Sequence, residues 1–247
     1  GCAQPLTRDG GSLSCPRGHS FDVARRGYIN LLQPQDRRSK EPGDSAAGIA
    51  ARRRLHDQGV TAPFVQAITE LIQPTAADTV LDAGCGDGFY LGTLAESTGL
   101  SGHGVDISLP AIDSAARRYP ACHWIVANAD RFLPWADASF SAVLSIPARM
   151  NAAEFRRVLR PGGRLLVAIP APDDLIELRG PARDRVPRTV ESFAAQFTLL
   201  THRRVTTRAT LSPADVADVL LSTYRRRRDQ PAGPTAVTFS LDLLLFE

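Results

Sequence analysis

Three groups of residues in this chain have the types and spacing to do chemistry. The first is Asp82-x-Gly84-x-Gly86-x-Gly88, followed about twenty residues on by Asp106. Glycines let the main chain take conformations that a Cβ forbids, so a ligand can approach the backbone closely. A carboxylate at the end of the following strand is placed to hold the diol of a ribose. The second group is Cys2, Cys15 and His19. Three residues separate Cys15 from His19 and twelve separate Cys2 from Cys15, a spacing of metal ligands. A tetrahedral structural zinc needs four donors, and a C-x2-C pair would put the fourth two residues ahead of Gly1. The natural start is therefore expected to lie upstream. The third group is basic: Arg37, Arg38 and Lys40, then Arg52, Arg53 and Arg54. Such residues either anchor a phosphate backbone or form a solvated helix face.

The elements that must position these residues follow a simple alternation. Residues 79–83 read as a buried strand, 84–88 as a tight turn and 89–98 as a helix. Strand 101–106, helix 109–118 and strand 123–127 come next. Ahead of them, residues 62–74 predict an amphipathic helix with Phe64, Val65, Ile68, Leu71 and Ile72 on one face, stopped by Pro74. Behind them come strand 141–146, helix 154–159, a turn at Arg160-Pro161-Gly162-Gly163 and strand 164–168. Residues 173–178 and 190–197 read as helices with a Pro-broken loop, 179–188, between them. Strands 203–210 and 236–246 flank a helix over 213–221, and Arg225, Arg226, Arg227 and Arg228 begin the loop after it. Repeated strand–helix order predicts an α/β, doubly wound, mostly parallel sheet, with the ligand beyond the carboxyl ends of its strands. The spacing G-x-G-x-G is not the dinucleotide fingerprint, and no Gly-Lys-Ser/Thr completes a nucleotide-triphosphate loop.

Composition narrows the class. The 247 residues suffice for one well-buried α/β domain plus a small appendage. No run of 18 apolar residues and no secretory leader pattern occurs, which predicts a cytoplasmic protein without a membrane partner. The net charge is only +3, but through Arg54 ten Lys/Arg stand against five Asp/Glu. Lys40 is the single lysine among 29 basic residues, a bias that points to a GC-rich genome rather than to RNA. Cys85 and Cys122 read as small buried residues.

The form D-x-G-x-G-x-G with Asp106 resembles the S-adenosylmethionine (SAM) site of Rossmann-like methyltransferases. A longer stretch is more specific: Cys15-Pro16-x-Gly18-His19-x-Phe21-Asp22-x-Ala24-Arg25-x-Gly27-Tyr28-x-Asn30-Leu31-Leu32. It is similar to the zinc module of the 23S rRNA (guanine-N1)-methyltransferases, housekeeping and macrolide-resistance members alike. The likeness continues through Pro42-Gly43-Asp44-Ser45, Ala50-Ala51-Arg52-Arg53-x-Leu55 and Arg160-Pro161-Gly162-Gly163. It implies a zinc-ribbon-like RNA-recognition module over 1–33, a basic connector and helix over 34–60, and a SAM-dependent methyltransferase domain over 61–247. It further implies that Asp82, Gly84, Gly86, Gly88, Asp106, Ile107, Asn128 and Ala129 hold SAM. Cys2, Cys15 and His19 would hold structural zinc, and Arg37, Arg38, Lys40, Arg52 and Arg53 would meet a 23S rRNA hairpin. Resistance to a ribosome-targeting antibiotic and a homodimer are further expectations.

Several alternatives stay open at this level. Tyr28 and Phe21 either stack on bases or fill a mini-core. Asn128 or Asp130 meets the adenine edge, unless Asp130 caps the next turn. Pro147-Ala148-Arg149 stands where related rRNA enzymes have aromatic-Ala-Pro, so the surface offered to a target base differs. N1 methylation needs a proton acceptor; Asp22, Asp44 and Asp130 are candidates by location alone. Besides rRNA methylation, the competing functions are methylation of a small molecule and binding of SAM and RNA without transfer.

Overall fold

The computed structural model describes residues 2, 4–33, 35, 42–148, 150–223 and 232–247. The chain opens with three short antiparallel strands, β1 (Thr7–Asp9), β2 (Ser12–Ser14) and β3 (Ser20–Asp22), forming a sheet of their own. A fourth, β4 (Ile29–Asn30), leaves that sheet and runs parallel to a strand of the main domain.

The main sheet is built on the predicted alternation. After α1 (Ala46–Asp57) and α2 (Ala62–Ile72) come β5 (Thr79–Ala83), α3 (Phe89–Thr98), β6 (Ser101–Asp106), α4 (Leu109–Arg118) and β7 (His123–Val126). Then follow β8 (Phe140–Ser145), α5 (Ala152–Val158), β9 (Leu159–Pro170), α6 (Ile176–Arg179) and α7 (Val186–Phe193). The last elements are β10 (Leu199–Leu211), α8 (Pro213–Leu221) and β11 (Thr235–Phe246). Spatial order is β10-β11-β9-β8-β5-β6-β7-β4; β11 is antiparallel to both its neighbours, whereas β4, β7, β6, β5, β8 and β9 are parallel. The class is the one expected, a Rossmann-like doubly wound sheet.

Apolar side chains cover both faces. On one, Phe64 and Ile68 of α2, Leu91 and Leu94 of α3, and Ile112 of α4 pack over Val80, Val126 and Leu144. On the other, Phe155 of α5 and Phe193 of α7 pack over Leu81, Val105, Val143 and Phe246. A parallel sheet covered on both sides holds its strand ends in fixed relation, which is what a site on those ends requires. Cys85 and Cys122 are buried, as expected.

Some boundaries differ from the expectation, each for a local reason. The Arg160–Gly163 turn lies inside β9: Phe140 pairs with Leu159 and Ala142 with Arg164, so the bulge absorbs the extra residues. Helix α7 starts at Val186 rather than Val190, because Pro187 fits the first turn, where no amide hydrogen bond is lost. The helix expected over 173–178 shrinks to Ile176–Arg179; Asp174 instead accepts from the amide of Ser240, and Leu175 takes a φ of 53°. No described helix is long and apolar enough to cross a membrane.

Candidate cofactor site and N-terminal metal cluster

Strand β5 carries Asp82 into the turn Gly84–Gly88, and the three glycines have φ of 86°, 55° and 76°. L side chains rarely adopt such backbone angles, so the turn selects glycine at all three places. Their surroundings differ. A Cβ on Gly84 would stand 2.4 Å from the Cβ of Ala148, and one on Gly88 would stand 2.4 Å from the Trp124 ring. These two glycines permit packing within the protein. Gly86 alone of the three has a side-chain guanidinium as its neighbour, Arg52 Nη1 at 3.3 Å from the Cβ position. The amides are used internally: Gly84 and Cys85 donate to the Val105 carbonyl, Gly86 to Asp106 and Gly88 to the Cys85 carbonyl. The turn is thus held by the protein itself rather than presenting a row of free donors.

Asp106 closes β6 beside this turn. Its Oδ2 accepts from the Gly86 amide at 3.0 Å and its Oδ1 from the Ser108 amide at 2.8 Å. Those two bonds fix the orientation of the carboxyl group and leave further acceptor capacity on both oxygens, the arrangement that a vicinal diol needs. Burial raises its pKa, against the opposing pull of the two amides. Asp82 is buried at 1% exposure, and its Oδ1 has no hydrogen-bond partner. Burial, and then the charge of Asp106, push its pKa well above the carboxylate range. An orphaned buried acceptor next to a clamped carboxylate fits a polar nucleoside at this end of the sheet.

Helix α1 completes the surroundings of the turn. Ser45 caps it by accepting from the Gly48 amide, which puts Asp44 at its mouth. Ser108 Oγ donates to the Asp44 carbonyl at 2.8 Å, and Asp44 pairs with Arg52 at 2.6 Å. Asp106, Ser108, Asp44, Arg52 and Gly86 therefore form a closed circuit of contacts around the turn. Arg53 faces buried Asp87 at 3.8 Å, and its Nε and Nη2 are buried without a hydrogen-bond partner. Burial raises the Asp87 pKa, which Arg52 and Arg53 oppose. Arg52 and Arg53 thus face the glycine turn from α1. They lie along the buried stripe of α1, where Arg52 is three residues after buried Ile49 and three before buried Leu55. That helical phase was the available signal, and three consecutive arginines masked it. Arg37, Arg38, Lys40, Arg149 and Arg225–Arg228 lie outside the described residues.

The other expected cofactor residues follow in order. Ile107 is half-buried, its side chain against Gly43. Asn128 and Ala129 stand just past β7, where Asn128 Oδ1 accepts from the Asp130 amide and the Ala129 carbonyl accepts from Asn151. The cap in this turn is thus Asn128, and Asp130 is exposed. Of the three acids named as proton acceptors, Asp44 is brought to the glycine turn, whereas Asp22 belongs to β3. Pro147 is exposed, and Ala148 lies on Gly84.

Cys2, Cys15 and His19 come together at the N-terminus, all their donor atoms within 4.8 Å of one another. Cys15 Sγ lies 3.6 Å from Cys2 Sγ and 3.3 Å from His19 Nδ1. Donors about 2.0–2.3 Å from a tetrahedral zinc are separated by about 3.3–3.8 Å, so the three fit that ion. Burial opposes ionisation of the Cys15 thiol, but the His19 ring and the amides of His19 and Arg17 lower its pKa to about 7. The module is tied to the main sheet at its β7 edge: Ile29 and Asn30 pair with Ile125 and Val126, and the Leu31 amide donates to the Val126 carbonyl. Arg26 adds an ion pair to Asp113 on α4. Tyr28 packs partly buried against the core of the main domain rather than within a mini-core of the module.

Comparison with known proteins bears on both modules. Residues 2–40 match the family described as RlmA, N-terminal, and residues 80–163 match the methyltransferase domain family. A 23S rRNA (guanine(748)-N(1))-methyltransferase of Streptomyces fradiae is 40% identical over 182 residues, 72% of this chain and 64% of that protein. Methyltransferase GfsG of Streptomyces halstedii is 30% identical over 195 residues, 74% of this chain and 67% of that one. A SAM-dependent methyltransferase from Thiobacillus denitrificans, solved with S-adenosyl-L-homocysteine, shares the fold at a TM-score of 0.50 and 16% identity, over 74% of this chain and 90% of that one. The chain spans 62–66% of the length of the three rRNA guanine-N1 relatives it matches first. By its two modules and these relatives, the chain belongs to the methyltransferases and joins an RlmA-type N-terminal module to a methyltransferase domain, the combination in which it is similar to the 23S rRNA (guanine-N1)-methyltransferases.

Proposed function

We propose that this chain methylates N1 of a guanine in a 23S rRNA hairpin, using SAM, in the cytoplasm. The observation that carries the reading is a juxtaposition on one sheet. The Cys/His module is stitched by β4 to β7, and β6, which pairs with the other side of β7, ends in Asp106 at the glycine turn. A module for gripping RNA and a site for the methyl donor then occupy neighbouring positions. In this reading residues 1–33 recognise the hairpin, 34–60 connect and 61–247 carry out the transfer.

The residues divide the work. Asp106, oriented by the Gly86 and Ser108 amides, holds the ribose diol, and Asp82 supplies a buried acceptor next to it. Ile107 provides apolar contact, and Asn128 and Ala129 border the adenine. SAM, when bound, supplies a methyl group already activated by its sulfonium, so the protein's task is chiefly alignment. The three N-terminal donors would hold structural zinc, whose role is to order a segment with too little core of its own. A guanine in a folded hairpin has to leave its stack to reach the site, at a cost of about a few kcal/mol.

A second reading, methylation of a small molecule, is favoured by one feature: exposed Pro147 occupies the place of an aromatic that would stack on the target base. Transfer of tritium from labelled SAM to 23S rRNA fragments, collected on filters, decides between them. Label in the rRNA at a guanine N1 is expected. Label only in a metabolite fraction supports the small-molecule reading, and rRNA retained without label means binding without transfer. In calorimetry, Asp106→Ala is expected to weaken SAM binding by about 1–3 kcal/mol, the range for lost charge-assisted hydrogen bonds, and unchanged affinity would contradict the ribose assignment. Resistance is tested by expressing the chain in a susceptible bacterium, where tolerance to a ribosome-targeting macrolide is expected to rise.

A further inference from the structure

Helix α1 carries three arginines in a row, and the structure separates them. The side chain of Arg54 is 55% exposed and pairs with Asp218, whereas those of Arg52 and Arg53 are 28% and 24% exposed and turn toward the glycine loop. Arg53 faces buried Asp87 at 3.8 Å. Arg52 stands over Gly86, with Nη1 on Asp44 and Nη2 on the Ser222 carbonyl. A guanidinium presents its N–H donors in a planar fork, a geometry that matches a carboxylate. Its two anchors also restrict its orientation. Asp44 is bound through its own carbonyl to Ser108, whose amide holds Asp106. The cation above the turn and the carboxylate beside it are thus positioned by the same short circuit of residues.

SAM brings two chemically distinct ends to such a site. The ribose needs acceptors, which Asp106 offers. The amino-acid end carries a carboxylate, which needs a cation with directed donors once it leaves water. We propose that Arg52 recognises the α-carboxylate of the methionine part of SAM, so that α1 is a wall of the cofactor site rather than an RNA-binding face. The assignment rests on the SAM reading above and adds a specificity element to it. Arg52 selects ligands that carry the amino acid over nucleosides that lack it, and Asp44 is the residue that positions Arg52.

Calorimetry on the full chain with two ligands tests this: S-adenosylhomocysteine, which has the amino-acid end, and 5′-methylthioadenosine, which does not. Arg52→Ala is expected to weaken S-adenosylhomocysteine by about ten- to a hundredfold, the range for a charge-assisted hydrogen bond, and to leave methylthioadenosine within about twofold. Arg54→Ala, on the same helix, is expected to change neither. Should Arg52→Ala fail to fold, Arg52→Lys is read with the same ligand pair, and S-adenosylhomocysteine alone is expected to weaken. Equal losses for both ligands, or no loss for S-adenosylhomocysteine, overturn the role of Arg52 and leave the SAM reading standing. Loss of rRNA-hairpin affinity in cofactor-free Arg52→Ala, with S-adenosylhomocysteine binding unchanged, overturns it in favour of an RNA contact. A wild-type chain that binds neither nucleoside overturns the SAM reading and the Arg52 assignment together.

Discussion

Two neighbouring acids show how burial and hydrogen bonding divide one chemistry between residues. Asp106 has two amides on its carboxyl group, while Asp82 has an oxygen with no partner. Burial raises both pKa values, and for Asp82 the charge of Asp106 adds to the rise. The sign of the consequence follows from proton counting. In the pH range above the unfolded carboxylate value of about 3.9, the unfolded chain has lost the Asp82 proton and the folded chain retains it. Stability contributed at this site therefore falls as pH rises through that range toward the folded value. Asp82→Asn removes the titrating group. Thermal melts of the ligand-free chain between about pH 4 and pH 7 are expected to show a smaller loss of stability for the variant than for wild type. Parallel curves for the two proteins would count against the buried acid as the source.

At the scale of elements, β4 is the decisive piece. It is two residues long, too short for a strand periodicity to show in the sequence, yet it fixes where the N-terminal module sits. Its pairing with β7 is continued by the Leu31 amide, which donates to the Val126 carbonyl at 2.9 Å. Leu31→Pro removes that donor and leaves a carbonyl at the sheet edge without it, at a cost of about 1–3 kcal/mol. The expected result is faster proteolysis within residues 1–33, with S-adenosylhomocysteine affinity retained because the glycine turn follows β5, three strands inward from β4. Unchanged proteolysis would mean that the Arg26–Asp113 pair and Tyr28 hold the module without the strand. The domain boundary expected at residue 33 falls after this strand, so β4 belongs by hydrogen bonding to the main sheet.

At the scale of the whole molecule, the chain is a large covered sheet with a small Cys/His-bearing attachment on one edge. The two parts draw on different sources of stability: apolar layers on both faces of the sheet, and a thiol–imidazole cluster in the module. Cys15→Ser should therefore separate them. Elemental analysis of purified wild type and variant is expected to show zinc lost from the variant, and rRNA-hairpin affinity is expected to fall with it. S-adenosylhomocysteine affinity is expected to stay within about twofold, since the glycine turn contains none of the three donors. Wild-type protein without zinc would remove the metal from this account, and a loss of nucleoside affinity would show that the two parts are coupled.

The sequence alone determined the parallel sheet, the turn at Gly84–Gly88, the acid ending β6 and the type of the N-terminal donors. Each is written in local periodicity, glycine spacing or residue chemistry, and local signals survive without knowledge of the fold. Only the tertiary structure decided which of Arg52, Arg53 and Arg54 turns inward, since neighbours on a helix differ by about 100° in direction and the surrounding elements choose the buried side. It also decided that Gly84 and Gly88 accommodate Ala148 and Trp124, that β4 joins β7, and that Asp44 and Ser108 meet beside Asp106. These are contacts between segments far apart along the chain, and their partners have no shared local pattern from which one could be inferred from the other.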